Sequence, residues 1–144
     1  MNQTAQLIMV VDDDREIRRM LNQALSMEGF AVVEARHGAE AVAKLSAGAR
    51  PTLILLDLVM PQMDGRAFLQ WRAQDPVQRQ IPVLLLSGHS IDEDEQRELG
   101  LCGAISKMLD AEDLLEEVRR HADGAGAAER RGAPVRTPPE PGGG

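Results

Sequence analysis

Four points in this chain place oxygen- or nitrogen-bearing side chains directly after short apolar runs. Asp12-Asp13 follows the run 7–11, Asp57 follows 53–56, Ser87 follows 82–86, and Lys107 follows the weaker run 104–106. Three carboxylates gathered within a few ångströms repel one another, and left unpaired they are protonated or destabilise the fold. A hard divalent cation resolves that conflict, and Mg²⁺ is commonly held by one or two carboxylates together with waters and a phosphoryl oxygen. A hydroxyl and an ammonium at the same edge complete a set suited to an anion with several oxygens. The chemistry this implies is phosphoryl transfer to a carboxylate, with cation and lysine neutralising the equatorial oxygens while an Asp attacks in line. Each residue also has a plainer use: Asp14 as a helix cap, Ser87 as a turn residue, Lys107 as a surface lysine, Asp12, Asp13 and Asp57 as strand-end acids. The elements that carry them decide between the two.

The five apolar runs (7–11, 30–34, 53–56, 82–86, 104–106) are nearly continuous, as expected for strands covered on both faces. Amphipathic stretches separate them. Ile17, Met20, Leu21, Ala24 and Leu25 keep the i, i+3, i+4, i+7 spacing of a helix with one apolar stripe, opened by Asp14 and broken after by Gly29. Further helices are predicted over 39–45, over 66–72 after Asp64-Gly65, over 92–99, and from Ala111 behind an Asp110 cap with Asp113 three residues on. Pro82 heads its strand, where a missing N–H does least harm. Strand–helix alternation repeated five times predicts an α/β fold, a doubly wound five-stranded parallel sheet with helices on both faces. A unit this short suits the flavodoxin-like order 2-1-3-4-5, which sets strands 1 and 3 side by side with the ligand crevice beyond their carboxyl ends.

The chain has 144 residues, 43% hydrophobic, 27% charged and 2% aromatic, which is the profile of one globular domain. Its 16 basic and 23 acidic residues give a net charge of −7. That balance, with only Phe30, Phe68 and Trp71 as aromatics, predicts no nucleic-acid binding. A lone Cys102 fits a reducing compartment, residues 1–6 lack the features of a signal peptide, and no apolar run approaches the roughly 20 residues that span a bilayer. A cytoplasmic location without membrane contact is expected. From Asp123 the composition shifts to six Gly and four Pro in 22 residues, with balanced charges, so the domain is expected over 1–122 and a disordered tail over 123–144.

The stretches Val10-Val11-Asp12-Asp13-Asp14-Arg15-Glu16-Ile17-Arg18 and Leu55-Leu56-Asp57-Leu58-Val59-Met60-Pro61-Gln62-Met63-Asp64-Gly65, then Leu86-Ser87-Gly88 and Lys107, closely resemble the receiver domain of two-component response regulators, over about residues 6–121. The segment from Asp57 to Gly65 is its most specific part. The resemblance implies that Asp57 is the phosphoacceptor, charged from a phosphohistidine on a sensor histidine kinase or a histidine phosphotransfer protein. It also implies Mg²⁺ bound by Asp13, Asp57 and the Val59 backbone carbonyl, with Asp12 acting through water. Ser87 corresponds to the hydroxyl that moves onto the phosphoryl group and Lys107 to the lysine that pairs with it. Signalling is then by contact with a downstream protein, and the only chemistry expected is self-phosphorylation with slow autodephosphorylation rather than enzyme turnover.

The chain departs from that family in three places. Met108 follows Lys107 where proline is usual, often after a cis peptide; a cis non-proline bond would cost about 2.5–4 kcal/mol. Ala104 stands where a Tyr or Phe ring usually reorients on activation. Val59 and His89 flank the site two residues past Asp57 and Ser87, and Val59 has no group to orient an attacking water, so slow loss of the phosphoryl group is expected. Ala104 and Met108 leave open a pseudo-receiver adaptor that binds partners without phosphorylation. An Asp-nucleophile phosphatase is disfavoured because such enzymes generally carry an acid at the Val59 position. Two surfaces stand out: the acid-rich stretch 92–98, a solvated helix face or a site for a basic partner, and the basic first helix with Arg15, Arg18 and Arg19. Phe68 and Trp71 read as packing residues.

Overall fold

A computed structural model of the chain describes residues 6–58, 64–87, 92–107 and 110–131, with side chains to residue 122. Five strands, β1 (Leu7–Val11), β2 (Ala31–Ala35), β3 (Leu53–Asp57), β4 (Val83–Ser87) and β5 (Gly103–Ser106), alternate with five helices. The helices are α1 (Arg15–Met27), α2 (Gly38–Ser46), α3 (Gly65–Ala73), α4 (Glu93–Leu99) and α5 (Ala111–Arg131). All strand pairs are parallel, in the order β2-β1-β3-β4-β5. The expected architecture and order are therefore observed.

Alternation of side chains along the strands divides the core in two. Ile8, Val10, Leu55 and Leu84 face α1 and α5, meeting Leu21, Leu25, Leu114 and Val118. Met9, Val11, Ile54 and Leu56 face α2 and α3, meeting Ala41, Leu45, Phe68 and Leu69. Because both faces are covered, every residue of β3 is buried, which is why its sequence reads as an unbroken apolar run ending in one acid. Phe68 is fully buried, with the Trp71 ring 6.0 Å away, so this pair packs the core as expected.

Local chemistry fixes the helix ends. Asp14 accepts from the Glu16 and Ile17 amides, Asp64 from Ala67, Asp92 from Glu95 and Asp110 from Asp113, each satisfying donors the first turn leaves unpaired. His37 caps α2 the same way through Nδ1, accepting from the Glu40 amide at 3.1 Å, a use of histidine that nothing in its spacing announced. Gly29 takes φ 96°, the left-handed conformation that turns the chain out of α1 into β2.

Three differences from expectation concern extent and exposure. Strand β2 is shifted one residue toward the carboxyl edge and β4 begins one residue later, at Val83, while β3 and β4 end on Asp57 and Ser87 as the site reading requires. Helix α5 continues to Arg131, past the composition change at Asp123; Ala125, Ala127 and Ala128 are strong helix formers that carry the helix across two glycines. Residues 132–144 of the expected tail lie outside the described residues. Third, Arg18 does not belong to a basic surface on α1: its residue is 8% exposed, whereas Arg15 and Arg19 are exposed.

Candidate functional site

The ladder register assembles the site. Val11 pairs with Leu56, so the next residue of each chain, Asp12 and Asp57, emerge together at the carboxyl edge. Asp57 pairs with Leu86, and Ser87 with Ser106, which brings Ser87 and Lys107 onto the same edge. The Lys107 amide donates to the Ser87 carbonyl at 2.8 Å, fixing the start of the loop that presents its side chain.

Carboxylate oxygens from Asp12, Asp13 and Asp57 all lie within 4.8 Å of one another. Asp12 is fully buried, Asp57 is 9% exposed and Asp13 is open to solvent. Asp12 Oδ1 accepts from the Asp14 amide at 2.9 Å. The buried Asp12 Oδ2 makes no well-aligned hydrogen bond; it meets the Lys107 ammonium at 2.9 Å as an ion pair. The same ammonium lies 3.6 Å from Asp57 Oδ2. Burial works against the charge on Lys107, but the neighbouring Asp12 and Asp57 carboxylates outweigh it and hold the lysine pKa above its ordinary value. One cation thus straddles two of three crowded anions. The donor set is carboxylate oxygen throughout with one carboxylate facing solvent, which is the chemistry a hard divalent cation requires, and such a cation would relieve the charge that Lys107 leaves unbalanced.

Of the expected site residues, Asp12, Asp13, Asp57, Ser87 and Lys107 all converge on this edge. Val59, His89 and Met108 lie outside the described residues. Asp14 is the helix cap its plainer reading gave it. Ala104 sits in β5 opposite Leu85.

Two contacts of this region were not read from the sequence. Gly65 opens α3, and its amide donates to the Leu58 carbonyl at 2.8 Å, pulling the helix start onto the end of β3. A Cβ there would stand 2.6 Å from Leu58 Cα and 2.8 Å from the Asp57 carbonyl oxygen, both backbone atoms that cannot rotate aside. Gly65→Ala is therefore expected to cost about 1–3 kcal/mol in urea unfolding, as overpacking does. An unchanged midpoint would mean that the approach beside Asp57 relaxes freely. The second feature is the buried Arg18. It lies three residues before Leu21 and seven before Leu25, both buried, so its position on the apolar stripe was legible although its charge suggested otherwise.

Residues 8–119 match the family model described as the response regulator receiver domain. Among curated proteins, the chain is 28% identical to the polar-differentiation response regulator DivK of Brucella anthropi, over 79% of this chain and 94% of that protein. It is 35% identical to the transcriptional regulatory protein CpxR of Klebsiella pneumoniae, over 78% of this chain but 47% of that protein. The chain thus spans nearly all of the first and about half of the second. Among solved structures, a receiver domain of a signal transduction histidine kinase from Syntrophus aciditrophicus superposes with a TM-score of 0.74 at 36% identity, covering 83% of this chain and 92% of that one.

Proposed function

The chain belongs to the response regulator receiver domain family, and on that premise we propose that it is a Mg²⁺-dependent phosphoacceptor that takes a phosphoryl group on Asp57 from a histidine kinase or histidine phosphotransfer protein. The observation that carries this reading is the convergence of Asp12, Asp13 and Asp57 within 4.8 Å, with Lys107 reaching Asp12 and Asp57. When bound, Mg²⁺ would be held by Asp13 and Asp57, with Asp12 behind them, and would supply charge neutralisation for the phosphoryl oxygens. An Asp57 carboxylate oxygen attacks phosphorus in line; the new P–O bond forms as the P–N bond of the donor breaks, and the imidazole nitrogen leaves with the electron pair. Lys107 turns from Asp57 to a phosphoryl oxygen, and Ser87 supplies a hydroxyl at the same edge. Hydrolysis returns the carboxylate and inorganic phosphate only slowly, and on this reading the long-lived phosphorylated form acts as a signalling partner rather than as a turnover enzyme.

Beside Lys107, Ile17, Met20 and Ala24 of α1 and Ala111 and Leu114 of α5 line an apolar cleft, with Met20 47% exposed. On this reading, that apolar surface beside Lys107 is where the phosphodonor protein makes contact. Among the described residues no helix is long and apolar enough to cross a membrane. Contact with a downstream protein passes the signal on. The chain spans about half of the transcriptional regulatory protein CpxR, and its own acidic balance favours a protein partner.

The test is intact mass after incubation with Mg²⁺ and acetyl phosphate or phosphoramidate. A gain of one phosphoryl group, absent when EDTA replaces Mg²⁺, is the expected result. No gain with either donor would overturn it in favour of an adaptor that binds partners unphosphorylated. Lifetime follows from the neighbour of the acceptor: with valine at position 59, decay of the phosphorylated species is expected to be slow. Val59→Asn, which supplies a group able to orient water, is expected to shorten the lifetime severalfold in a time course of phosphate release.

A further inference from the structure

Beneath the acidic pair lies a buried arrangement that the phosphoacceptor reading does not use. The Arg18 guanidinium donates through Nη1 to the Asp12 carbonyl at 2.7 Å, inside the protein, and through Nε to Glu34 Oε1 at 3.1 Å. Glu34, on β2, is held from its other oxygen by the Asn22 amide at 2.7 Å. Arg18 and Asn22 sit one turn apart on α1, so one carboxylate is gripped by two residues of the helix that follows Asp14.

The Asp12 carbonyl is the point where β1 has ended and α1 has not begun. The Asp12 amide is tied to the Ala35 carbonyl at 3.1 Å and its Oδ1 to the Asp14 amide at 2.9 Å. The Arg18 bond adds a third restraint, on the peptide plane linking Asp12 to Asp13. Turning that plane turns both carboxylates, since one precedes it and the other follows. Pairing with Glu34 neutralises the guanidinium, so the clamp orients the carboxylates with little added net charge. A buried arginine is costly unless it is paired and hydrogen-bonded, and here Glu34 supplies the pairing and the Asp12 carbonyl accepts the second hydrogen bond.

We infer that Arg18, held by Glu34, is a positioning residue that sets the Asp12–Asp13 peptide and thereby the affinity of the acidic cluster for Mg²⁺. The inference rests on the reading of that cluster as a Mg²⁺ site. Partners that orient metal ligands from behind typically change affinity by about 10–100-fold when removed, and an effect of that size is expected here.

The experiment is Mg²⁺ titration by calorimetry on the full chain, for wild type, Arg18→Met, Arg18→Lys and Glu34→Gln, with urea unfolding of each. Arg18→Met keeps an unbranched stem and removes every donor; its Mg²⁺ affinity is expected to fall about tenfold or more. Arg18→Lys, which retains a charge and a donor, is expected to recover part of the loss, and Glu34→Gln to show a smaller one. Loss of stability in Arg18→Met with Mg²⁺ affinity within twofold of wild type would overturn the inference, leaving a structural tie between α1 and β2. Should Arg18→Met not fold, Glu34→Gln decides: unchanged affinity overturns, weakened affinity supports. Wild type that binds no Mg²⁺ and gains no phosphoryl group would instead sink the phosphoacceptor reading itself, a distinct result.

Discussion

Asp57→Asn is expected to gain no phosphoryl group from Mg²⁺ and acetyl phosphate and, measured without divalent cation, to be more stable than wild type. The first half follows from chemistry: an amide in place of the carboxylate removes the attacking oxygen, and intact mass reads the loss as all or none. The second half follows from the charges around position 57. With an effective dielectric constant of about 20, each of two carboxylates within 4.8 Å repels the Asp57 charge by about 3.5 kcal/mol, while Lys107 at 3.6 Å attracts it by about 4.6 kcal/mol. Repulsion wins by about 2 kcal/mol on these magnitudes, before the cost of burying the Asp57 side chain. Solvent at Asp13 screens part of this, so a gain of about 1–2 kcal/mol is expected in urea unfolding in EDTA. Excess Mg²⁺ is expected to narrow or reverse the order, because a ligand at a hundredfold its dissociation constant stabilises the protein that binds it by about 2.7 kcal/mol. A variant that takes up a phosphoryl group at another residue would refute the assignment of Asp57. Equal stability in EDTA would show that Lys107 already balances the cluster.

That balance explains what was legible in the sequence. Strand-end acids were readable because a parallel sheet makes each apolar run end at one edge: Val11 before Asp12 and Leu56 before Asp57 specify both the run and what stands beyond it. The caps were readable for a similar local reason, since Asp14, Asp64 and Asp110 stand where a first turn needs an acceptor. Arg18 was misread as surface charge because its partner Glu34 is 16 positions away on another element, and no local rule links a helix arginine to a strand glutamate. Gly65 was placed correctly as a helix opener, but its contact with the Asp57 carbonyl depends on how α3 meets β3. Helix α5 extends further than its glycines suggested, because alanines around them sustain it. Periodicity and caps are properties of short segments; clamps and close approaches belong to the packed whole.

Lys107→Met is expected to have the second large effect, on stability and rate together. Asp12 is fully buried and its Oδ2 has the Lys107 ammonium as its ion-pair partner, so removing the lysine strands a buried anion. Breaking such pairs by deleting one member costs about 3–5 kcal/mol, the upper part of which applies when no water reaches the site. The Lys107 side chain is 24% exposed and the Asp14 amide still supports Asp12, so about 2–3 kcal/mol is expected near pH 7. The pH dependence has a definite sign. The folded-state lysine holds its proton more tightly than the unfolded one, because its two carboxylate partners outweigh its burial. The difference between wild type and variant is therefore expected to be full below about pH 10.5, the ordinary lysine range, and to shrink as pH rises through the higher folded-state value. Phosphorylation by acetyl phosphate is expected to slow by about a hundredfold, the scale on which one preorganised charge or donor acts on a transition state. Mg²⁺ is expected to restore stability to Lys107→Met more than to wild type, since it supplies the charge the lysine no longer does, yet to leave the rate low, since it cannot also stand where the ammonium meets the phosphoryl oxygen. Stability within 0.5 kcal/mol of wild type at pH 7, the scatter of an ordinary surface substitution, would reduce Lys107 to a surface lysine. Lost stability with an undiminished rate would leave it holding Asp12 alone.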